Sequence, residues 1–377
     1  MADRLPFEFL DTVESSAFLD AFCNKQCLVF EQTQRQRFEH ILSWDTINAL
    51  LTLNLLDEKR LRVVKESRDL PKSFYTREDD RRPIDAAKLT ALVEQGASLA
   101  INGIQLLIPE VRRIADQLEL WLDAKVNVNA YLSFSKGGAF TSHFDVHDVF
   151  VLQVHGDKAW TVYQDPAPFP LHEQGYGGRH AGRENPVLFD FVLRQGDMLF
   201  IPRGFYHKAA LQEGISVHLT FGITTPRGID VVDKLRSKCV EDAEFRKDII
   251  AVAGGERLAD QERALKEKLH AMVEAISLEV YVAKKRKARR PHDIFRFGPA
   301  KPMPEESVLV PLIRRRDSEI EANAALDPVA GKVIDRLLDH HRMTLRQLCD
   351  SFDGEIDDDD VRSTVSGLVS GQLIELA

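Results

Sequence analysis

TSHFDVHDVFVLQVHGDKAWTVY, residues 141–163, has the alternation of two β-strands on either side of a tight turn at 155–158. Alternate side chains of an extended chain point the same way, so His143 and Asp145 share a face, with Cα atoms about 6.6 Å apart. One metal ion can bind both groups. A His-X-Asp pair also occurs by chance, so this interpretation depends on a third ligand elsewhere in the chain.

GDMLFIPRGFYHKA, residues 196–209, contains the best candidate for that ligand. His207 follows an apolar strand and a Pro-Arg-Gly turn, and such a strand end projects a side chain into the mouth of a barrel. Two neutral imidazoles and one carboxylate leave adjacent coordination positions open, which favours a mononuclear iron site. His147 lies on the same face as His143 and is an alternative to Asp145 in a different kind of metal site.

The length, charge and cysteine content set broad limits on the function. A chain of 377 residues suggests two or three domains and can bury a sizeable core without disulfides. The four cysteines are sparse, and Cys23 with Cys27 lacks the second pair that completes a zinc site. A net charge of −9 argues against a nucleic-acid binder. Because no signal peptide or membrane-length apolar run is recognised, we expect a cytoplasmic protein.

Helical and strand patterns follow one another before residue 126, and strand patterns dominate after it. The first part is mixed and helix-rich, with an N-cap serine at Ser43 and a short strand from Leu61. From Val126, several short alternating strands separated by turns predict a jelly-roll sandwich or barrel. The polar insert 165–185 is predicted to be a loop. Its histidines are not expected to bind metal, and the residues of interest there are His172, Tyr176 and His180.

After Pro226 the strand pattern stops. Two long amphipathic patterns joined at Gly254–Gly255 predict a helical hairpin that either completes the core or forms a dimer interface. The basic run 284–291 is expected to be a solvated linker, with contacts to RNA phosphates as the alternative. From Val308, three short helices and a terminal strand resemble a winged helix. Four aspartates at 357–360 would repel DNA, so a protein-interaction or structural role is expected there.

HFDVHDVFVLQVHGDKAWTVY, GDMLFIPRGFYHKA and SVHLTFGI together resemble the JmjC and cupin oxygenases of the ribosomal-oxygenase type. They are especially similar to the bacterial ribosomal protein arginine hydroxylase and its histidine-hydroxylating relatives. The resemblance implies an α+β chain with a double-stranded β-helix core. It also implies an oxygenase domain with an N-terminal elaboration at 1–228, a helical dimerisation region at 229–300 and a winged-helix-like domain at 301–377. A homodimer is therefore expected.

The resemblance also assigns roles to individual residues. The metal motif of that group falls on His143, Asp145 and His207, and its basic residue falls on Lys158, which in relatives pairs with the distal carboxylate of 2-oxoglutarate. A dianion entering an apolar barrel requires such a compensating charge. Lys158 stands where arginine is often found, and His218 is similar to the histidine-hydroxylating branch, so the target residue stays open.

Other polar residues at inward strand positions are candidates for binding the co-substrate or the substrate. They are Asn129, Tyr131, Thr141, His218 and Thr220. Threonine and tyrosine are also ordinary strand residues. Three aromatic residues nearby, Trp160, Tyr163 and Phe205, are expected to belong to the core rather than to the site.

The resulting hypothesis is an Fe(II)- and 2-oxoglutarate-dependent hydroxylase of a protein or peptide side chain. An acidic molecule suits a basic partner such as a ribosomal protein. The first alternative substrate is a peptide natural-product precursor. Two further alternatives are a non-enzymatic cupin-type ligand-binding regulator that contacts DNA, and a cupin dioxygenase or isomerase that needs no co-substrate. Histone demethylation is less expected, because no chromatin-reading module is recognised.

Overall fold

The structure is a computed structural model that describes most of the chain. The described residues are 12–53, 55–56, 59–77, 84–136, 141–164, 167–172, 186–250, 255–288, 303–311, 328–340, 343–370 and 374–376. The chain divides into two compact units, Met1–Thr224 and Thr225–Ala377. Further division of the second unit into a dimerisation region and a winged helix stays a prediction. Among the described helices, none is long and apolar enough to cross a bilayer.

Four helices and eleven strands are described in the first unit. They are α1 Thr12–Asn24, β1 Leu28–Phe30, α2 Trp44–Thr52, β2 Leu61–Lys65, β3 Arg68–Asp69, α3 Ala86–Glu94, β4 Ser98–Asn102, α4 Pro109–Leu122, β5 Lys125–Ser133, β6 Asp148–His155, β7 Lys158–Tyr163, β8 Val187–Leu193, β9 Met198–Ile201, β10 His207–Ala210 and β11 Ser216–Thr224. The strands form an antiparallel sheet in the order β1-β9-β6-β11-β5-β4-β2-β3 and a smaller sheet in the order β10-β7-β8. This confirms the predicted jelly-roll core.

Local capping explains where the helices of this unit begin. Ser43 is the N-cap of α2 and its side chain accepts a hydrogen bond from the Thr46 amide, as the sequence predicts. Asp85 caps α3 in the same way through Lys88. α4 begins with a proline at its first position, where the missing amide hydrogen costs nothing.

The large sheet has an apolar outer face covered by helices. The even-numbered residues of β5 from Val126 to Leu132 belong to this core, together with α1 and α4. Phe18 of α1 lies at its centre, with its ring centroid 5.0 Å from that of Phe150 and 5.1 Å from that of Phe200. The odd-numbered residues of β5 therefore point to the other face, between the two sheets.

A second apolar cluster holds the two sheets together. Val149 and Val151 of β6 pack with Trp160 and Val162 of β7, and β8 and β9 complete the layer. This cluster fills one part of the space between the sheets. The rest of that space is lined by polar side chains and forms the cavity described below.

The helices after residue 225 are shorter than the sequence predicts. Helix α5, Gly228–Glu241, ends at Asp242, whose side chain accepts a hydrogen bond from the Glu244 amide and starts a 3-10 turn. The second predicted helix is divided into α6, Gly255–Glu274, and α7, Leu278–Ala288. Ser277 separates them because its hydroxyl accepts from the Val280 amide. The prediction of two continuous helices is therefore wrong.

The C-terminal part of the second unit has its own small core. Its elements are β12 Val308–Pro311, α8 Pro328–His340, β13 Met343–Thr344, α9 Leu345–Asp350, α10 Asp358–Ser370 and β14 Ile374–Leu376, with strand order β13-β12-β14. The aspartates begin α10 as predicted, and the Asp357 carboxylate accepts from the Asp359 amide. The likeness to a winged helix stays a prediction. Residues 289–291 of the basic run, and Tyr176 and His180, lie outside the described residues.

We expect Gly156→Ala to lower the free energy of unfolding by about 2 kcal/mol or more. Gly156 connects β6 to β7 with φ +59°, and a Cβ there would collide with the Ile215 carbonyl oxygen. Gly214→Ala is the matched control, because Gly214 has φ +71° but open space around its Cα. Denaturant unfolding measures both, and equal losses would show that the Ile215 contact is unimportant.

Candidate active site

The predicted site residues converge on one cavity between the two sheets, with a volume of about 770 Å³. All of the residues predicted to bind the metal, the co-substrate or the substrate line it: Asn129, Tyr131, Thr141, His143, Asp145, Lys158, His207, His218 and Thr220. Strand register explains part of this grouping. On neighbouring strands β5 and β11, Tyr131 lies opposite His218 and Asn129 lies opposite Thr220.

A pair of backbone hydrogen bonds brings the two histidines of the metal motif together. The His143 amide donates to the His207 carbonyl over 3.1 Å, and the His207 amide donates to the His143 carbonyl over 2.8 Å. His143 lies in an irregular segment, because β6 begins only at Asp148. The prediction that a regular strand carries the motif is therefore wrong. The alternation of burial from 143 to 147 nevertheless keeps His143 and Asp145 on one side.

Three potential ligand atoms meet at this point. Atoms of His143, Asp145 and His207 all lie within 4.8 Å of one another. The two imidazole centroids are 4.6 Å apart, and His207 Nε2 is 3.6 Å from Asp145 Oδ2. His147 is not part of this cluster among the described residues, so the geometry groups Asp145 rather than His147 with the two histidines.

The hydrogen bonds of the two imidazoles fit a metal ion. Nδ1 of His143 lies 2.8 Å from the Thr141 carbonyl, and Nδ1 of His207 lies 3.0 Å from the Phe205 carbonyl. A carbonyl oxygen only accepts, so each Nδ1 is the donor and Nε2 is the nitrogen left to face a metal ion. Such bonds orient metal-binding histidines in general. Two neutral imidazoles and one carboxylate form the donor set of non-haem Fe(II) sites.

Burial supports the neutral form of His207. The side chain is almost completely enclosed, and its burial together with the neighbouring His143 lowers the pKa of His207 to about 4. An imidazole with this pKa is unprotonated near neutral pH. It can therefore bind a metal ion without first losing a proton.

Lys158 is buried although it follows a hairpin turn. As the first residue of β7 it is 2% exposed, and its Nζ donates to the Ser133 hydroxyl over 2.6 Å. Desolvation by burial lowers the pKa of Lys158 to about 8. Among the described residues, no carboxylate is recorded as an ion-pair partner of this ammonium group. The site therefore has a positive charge ready for an anionic ligand.

His218 and Trp160 contribute further polar atoms beside Lys158. Nδ1 of His218 and Nε1 of Trp160 are buried without a hydrogen-bond partner among the described residues. The His218 ring stacks on Tyr131 at 5.1 Å. Burial, and then the charge of Lys158, lower the pKa of His218 well below its usual value. Trp160 belongs to the core as predicted, but it also lines the cavity. Tyr163 and Phe205 do not line the cavity, and Phe205 packs against the same apolar cluster as Trp160.

The sequence reasoning missed several residues that line the cavity. Ser133 follows Asn129 and Tyr131 at the same period of two, so the alternation of β5 contained enough information to find it. Asn102 of β4 and Arg62 of β2 also line the cavity. No local signal marks them, because only the pairing of distant strands brings them there.

We expect Lys158→Met to stabilise the ligand-free protein near neutral pH, on the order of 3 kcal/mol, because one pKa unit corresponds to about 1.4 kcal/mol. Because the pKa of Lys158 is about 8 in the folded protein and 10.5 in the unfolded chain, the unfolded chain binds more protons than the folded protein between these pH values. The free energy of unfolding of the wild type therefore increases as the pH rises through this range. Thermal unfolding of both proteins across this range measures the effect. A stability difference that stays constant with pH would contradict it.

Known proteins match this chain over its central part and over its fold. The JmjC domain family matches residues 103–231. Ribosomal oxygenase 2 of Mus musculus is 32% identical over 129 residues, 34% of this chain and 27% of the mouse protein. The bifunctional lysine-specific demethylase and histidyl-hydroxylase NO66 of Drosophila mojavensis is 24% identical over 57% of this chain and 24% of that protein. The chain thus spans about a quarter of the length of these two relatives.

The overall fold is that of a solved bacterial protein. The ribosomal oxygenase YcfD of Escherichia coli, whose structure is known in complex with cobalt and 2-oxoglutarate, aligns with a TM-score of 0.50 and 15% identity. The alignment covers 97% of this chain and 99% of YcfD. Residues 103–231 therefore match the JmjC domain, and the chain that carries them has the same fold as the Escherichia coli protein.

Proposed function

We propose that this protein is an Fe(II)- and 2-oxoglutarate-dependent hydroxylase of a polypeptide side chain. The observation that carries the proposal is one cavity with two different binding features. It contains two imidazoles beside a carboxylate, and it also contains the buried amino group of Lys158. A metal site alone would not require that cation, since a buried and unpaired charge destabilises the fold.

His143, Asp145 and His207 would hold the iron. The ion would supply the activation of dioxygen, which protein side chains do not perform. The residues themselves contribute orientation, because the Thr141 and Phe205 carbonyls hold both imidazoles with Nε2 toward the metal position. The buried surroundings of His207 limit the access of water to that side.

The distal carboxylate of 2-oxoglutarate would bind at the closed end of the cavity. There Lys158 supplies the charge, and the Ser133 hydroxyl that now accepts from it is free to turn and donate to the carboxylate. Nε1 of Trp160 is a second donor without a partner, and His218 closes the site against Tyr131. A dianion there would neutralise a cation that otherwise costs stability.

The remaining part of the cavity would take a side chain of the substrate, for which a ribosomal protein is our leading candidate. The net charge of −9 favours a basic partner, and two of the similar proteins carry the name ribosomal oxygenase. A cytoplasmic location follows from this proposal. A peptide natural-product precursor is the alternative substrate.

We also propose that the second unit supports a homodimer. Helix α6 exposes Leu269 and Val273, which are four residues apart and therefore on one helix face. Leu278 at the start of α7 is 64% exposed. Exposed apolar residues grouped in this way mark association surfaces. Analytical ultracentrifugation is expected to show a dimer that Val273→Glu converts to monomer, and a monomeric wild type would contradict this.

The activity test is formation of succinate from 2-oxoglutarate with Fe(II), ascorbate and ribosomal proteins. We expect His143→Ala to abolish it together with Mn(II) binding, because one of the three donors is lost. We expect Lys158→Ala to raise the apparent KM for 2-oxoglutarate at least about tenfold, since a charge-assisted hydrogen bond contributes about 1.5–3 kcal/mol. A silent Lys158→Ala would instead favour a cupin enzyme that needs no co-substrate.

The substrate test compares ribosomal proteins from cells with and without this gene by intact mass. We expect one of these proteins to be heavier by the mass of one oxygen atom only when the gene is present. Complementation with His143→Ala is the control and must not restore the mass difference. If oxygen is added instead to a small secreted peptide, the natural-product alternative is correct.

A further inference from the structure

His147 lines the cavity but lies outside the metal cluster, so its function needs a separate explanation. It follows Asp145 by two residues and is half-buried on the same side of the chain. Its position depends on β11, the strand on which its ring lies.

The imidazole of His147 packs face-on against the backbone of Gly222. A Cβ added to Gly222 would lie 2.9 Å from Cε1, 3.1 Å from Nδ1 and 3.2 Å from Nε2 of that ring. Three ring atoms at nearly the same distance mean that the ring plane faces the strand. Gly222 does not have a positive φ, and the three atoms nearest to an added Cβ all belong to His147, so an alanine there would mainly strain its contact with this ring.

The backbone of Asp148 accepts the hydrogen bond of His147, and the side chain of the same residue is anchored. Nδ1 lies 3.2 Å from the Asp148 carbonyl oxygen, so Nδ1 is the donor, and no partner of Nε2 is recorded among the described residues. The Asp148 side chain is 2% exposed and is held by Lys25 Nζ at 2.7 Å and by the Arg203 amide at 3.0 Å. The backbone that orients His147 is therefore firmly anchored.

The cavity has a closed end and an open end, and His147 lies at the open one. Along β5, exposure increases from Ser133, which is 1% exposed, through half-buried Asn129 to exposed Asn127. Asn127 is paired with Gly222, directly below the His147 ring. Ser133 and Lys158 are at the other end, about 20 Å away along the strand at 3.3 Å per residue.

We propose that His147 and Asn127 form a substrate subsite at the open end of the cavity, in which His147 Nε2 accepts a hydrogen bond from an N–H group of the polypeptide. The Asn127 carboxamide both donates and accepts, so it can pair with a neighbouring peptide group. The subsite rests on the proposed hydroxylase function. It orients the target side chain toward the metal position and takes no part in binding 2-oxoglutarate.

The first test compares wild type, His147→Leu and His147→Gln, each with Fe(II) and ribosomal proteins from a strain lacking the gene. For His147→Leu we expect about a fivefold loss of hydroxylation for each 2-oxoglutarate consumed, which corresponds to about 1 kcal/mol, the net contribution of one hydrogen bond. The apparent KM for 2-oxoglutarate and the Mn(II) affinity should stay unchanged. His147→Gln keeps a hydrogen-bond acceptor and should retain part of the coupling, that is, of the ratio of hydroxylated product to 2-oxoglutarate consumed.

Two matched controls separate this role from general damage. Gly222→Ala should displace the His147 ring and reproduce the loss of coupling, whereas Gly228→Ala has no neighbour within 4 Å and should be silent. His270→Leu removes an exposed histidine and should also be silent. Full coupling in His147→Leu, or a loss of Mn(II) binding in that variant, would overturn the proposal.

A second measurement is independent of any activity. In the Zn(II)-loaded protein, the imidazole ¹⁵N resonances of His147, assigned with the His147→Gln variant, should report a hydrogen on Nδ1 and none on Nε2. A hydrogen on Nε2 would overturn the proposed acceptor role even if the protein is an active hydroxylase. Absence of succinate formation with the expected tautomer would instead contradict the proposed function and leave the acceptor geometry supported.

Discussion

The reciprocal backbone hydrogen bonds between His143 and His207 are the contact on which the site depends. They join an irregular segment before β6 to the start of β10, and so connect the large sheet to the small one. Both imidazoles then project from one short bridge, and each is oriented by the carbonyl two residues before it. Because this orientation comes from backbone atoms, it does not require other side chains to hold the two imidazoles.

The buried ammonium group of Lys158 is the second defining feature. In the ligand-free protein it has the Ser133 hydroxyl as its recorded partner, and desolvation lowers the pKa of Lys158 to about 8. A buried ammonium group without a counter-charge destabilises the folded protein, and an anionic ligand that binds beside it stabilises the folded protein again. Burial and the same charge lower the pKa of His218, so Lys158 and His218 do not both carry a charge at the closed end of the cavity.

The two faces of the large sheet have different roles, because one packs in the apolar core and the other lines the cavity. Val128 and Ala130 pack into the apolar core, while Asn129 and Tyr131 between them line the cavity. Strand β5 thus supplies both core residues and cavity-lining residues, since successive side chains of a strand point in opposite directions. Exposure increases along this strand toward Asn127, so the cavity has room for the proposed co-substrate and the proposed polypeptide at different depths.

The sequence by itself determined the jelly-roll core and the helix start at Ser43, which follow from period-two alternation and capping. It also proposed His143, Asp145 and His207 as metal ligands, but only the structure grouped Asp145 rather than His147 with the two histidines. Tertiary structure alone decided that Lys158 is buried, that Asn102 and Arg62 reach the cavity, and that Gly222 provides room for His147. It also divided the predicted helices at Asp242 and Ser277. The reason is physical: burial and the pairing of distant strands depend on chain segments that no local pattern brings together.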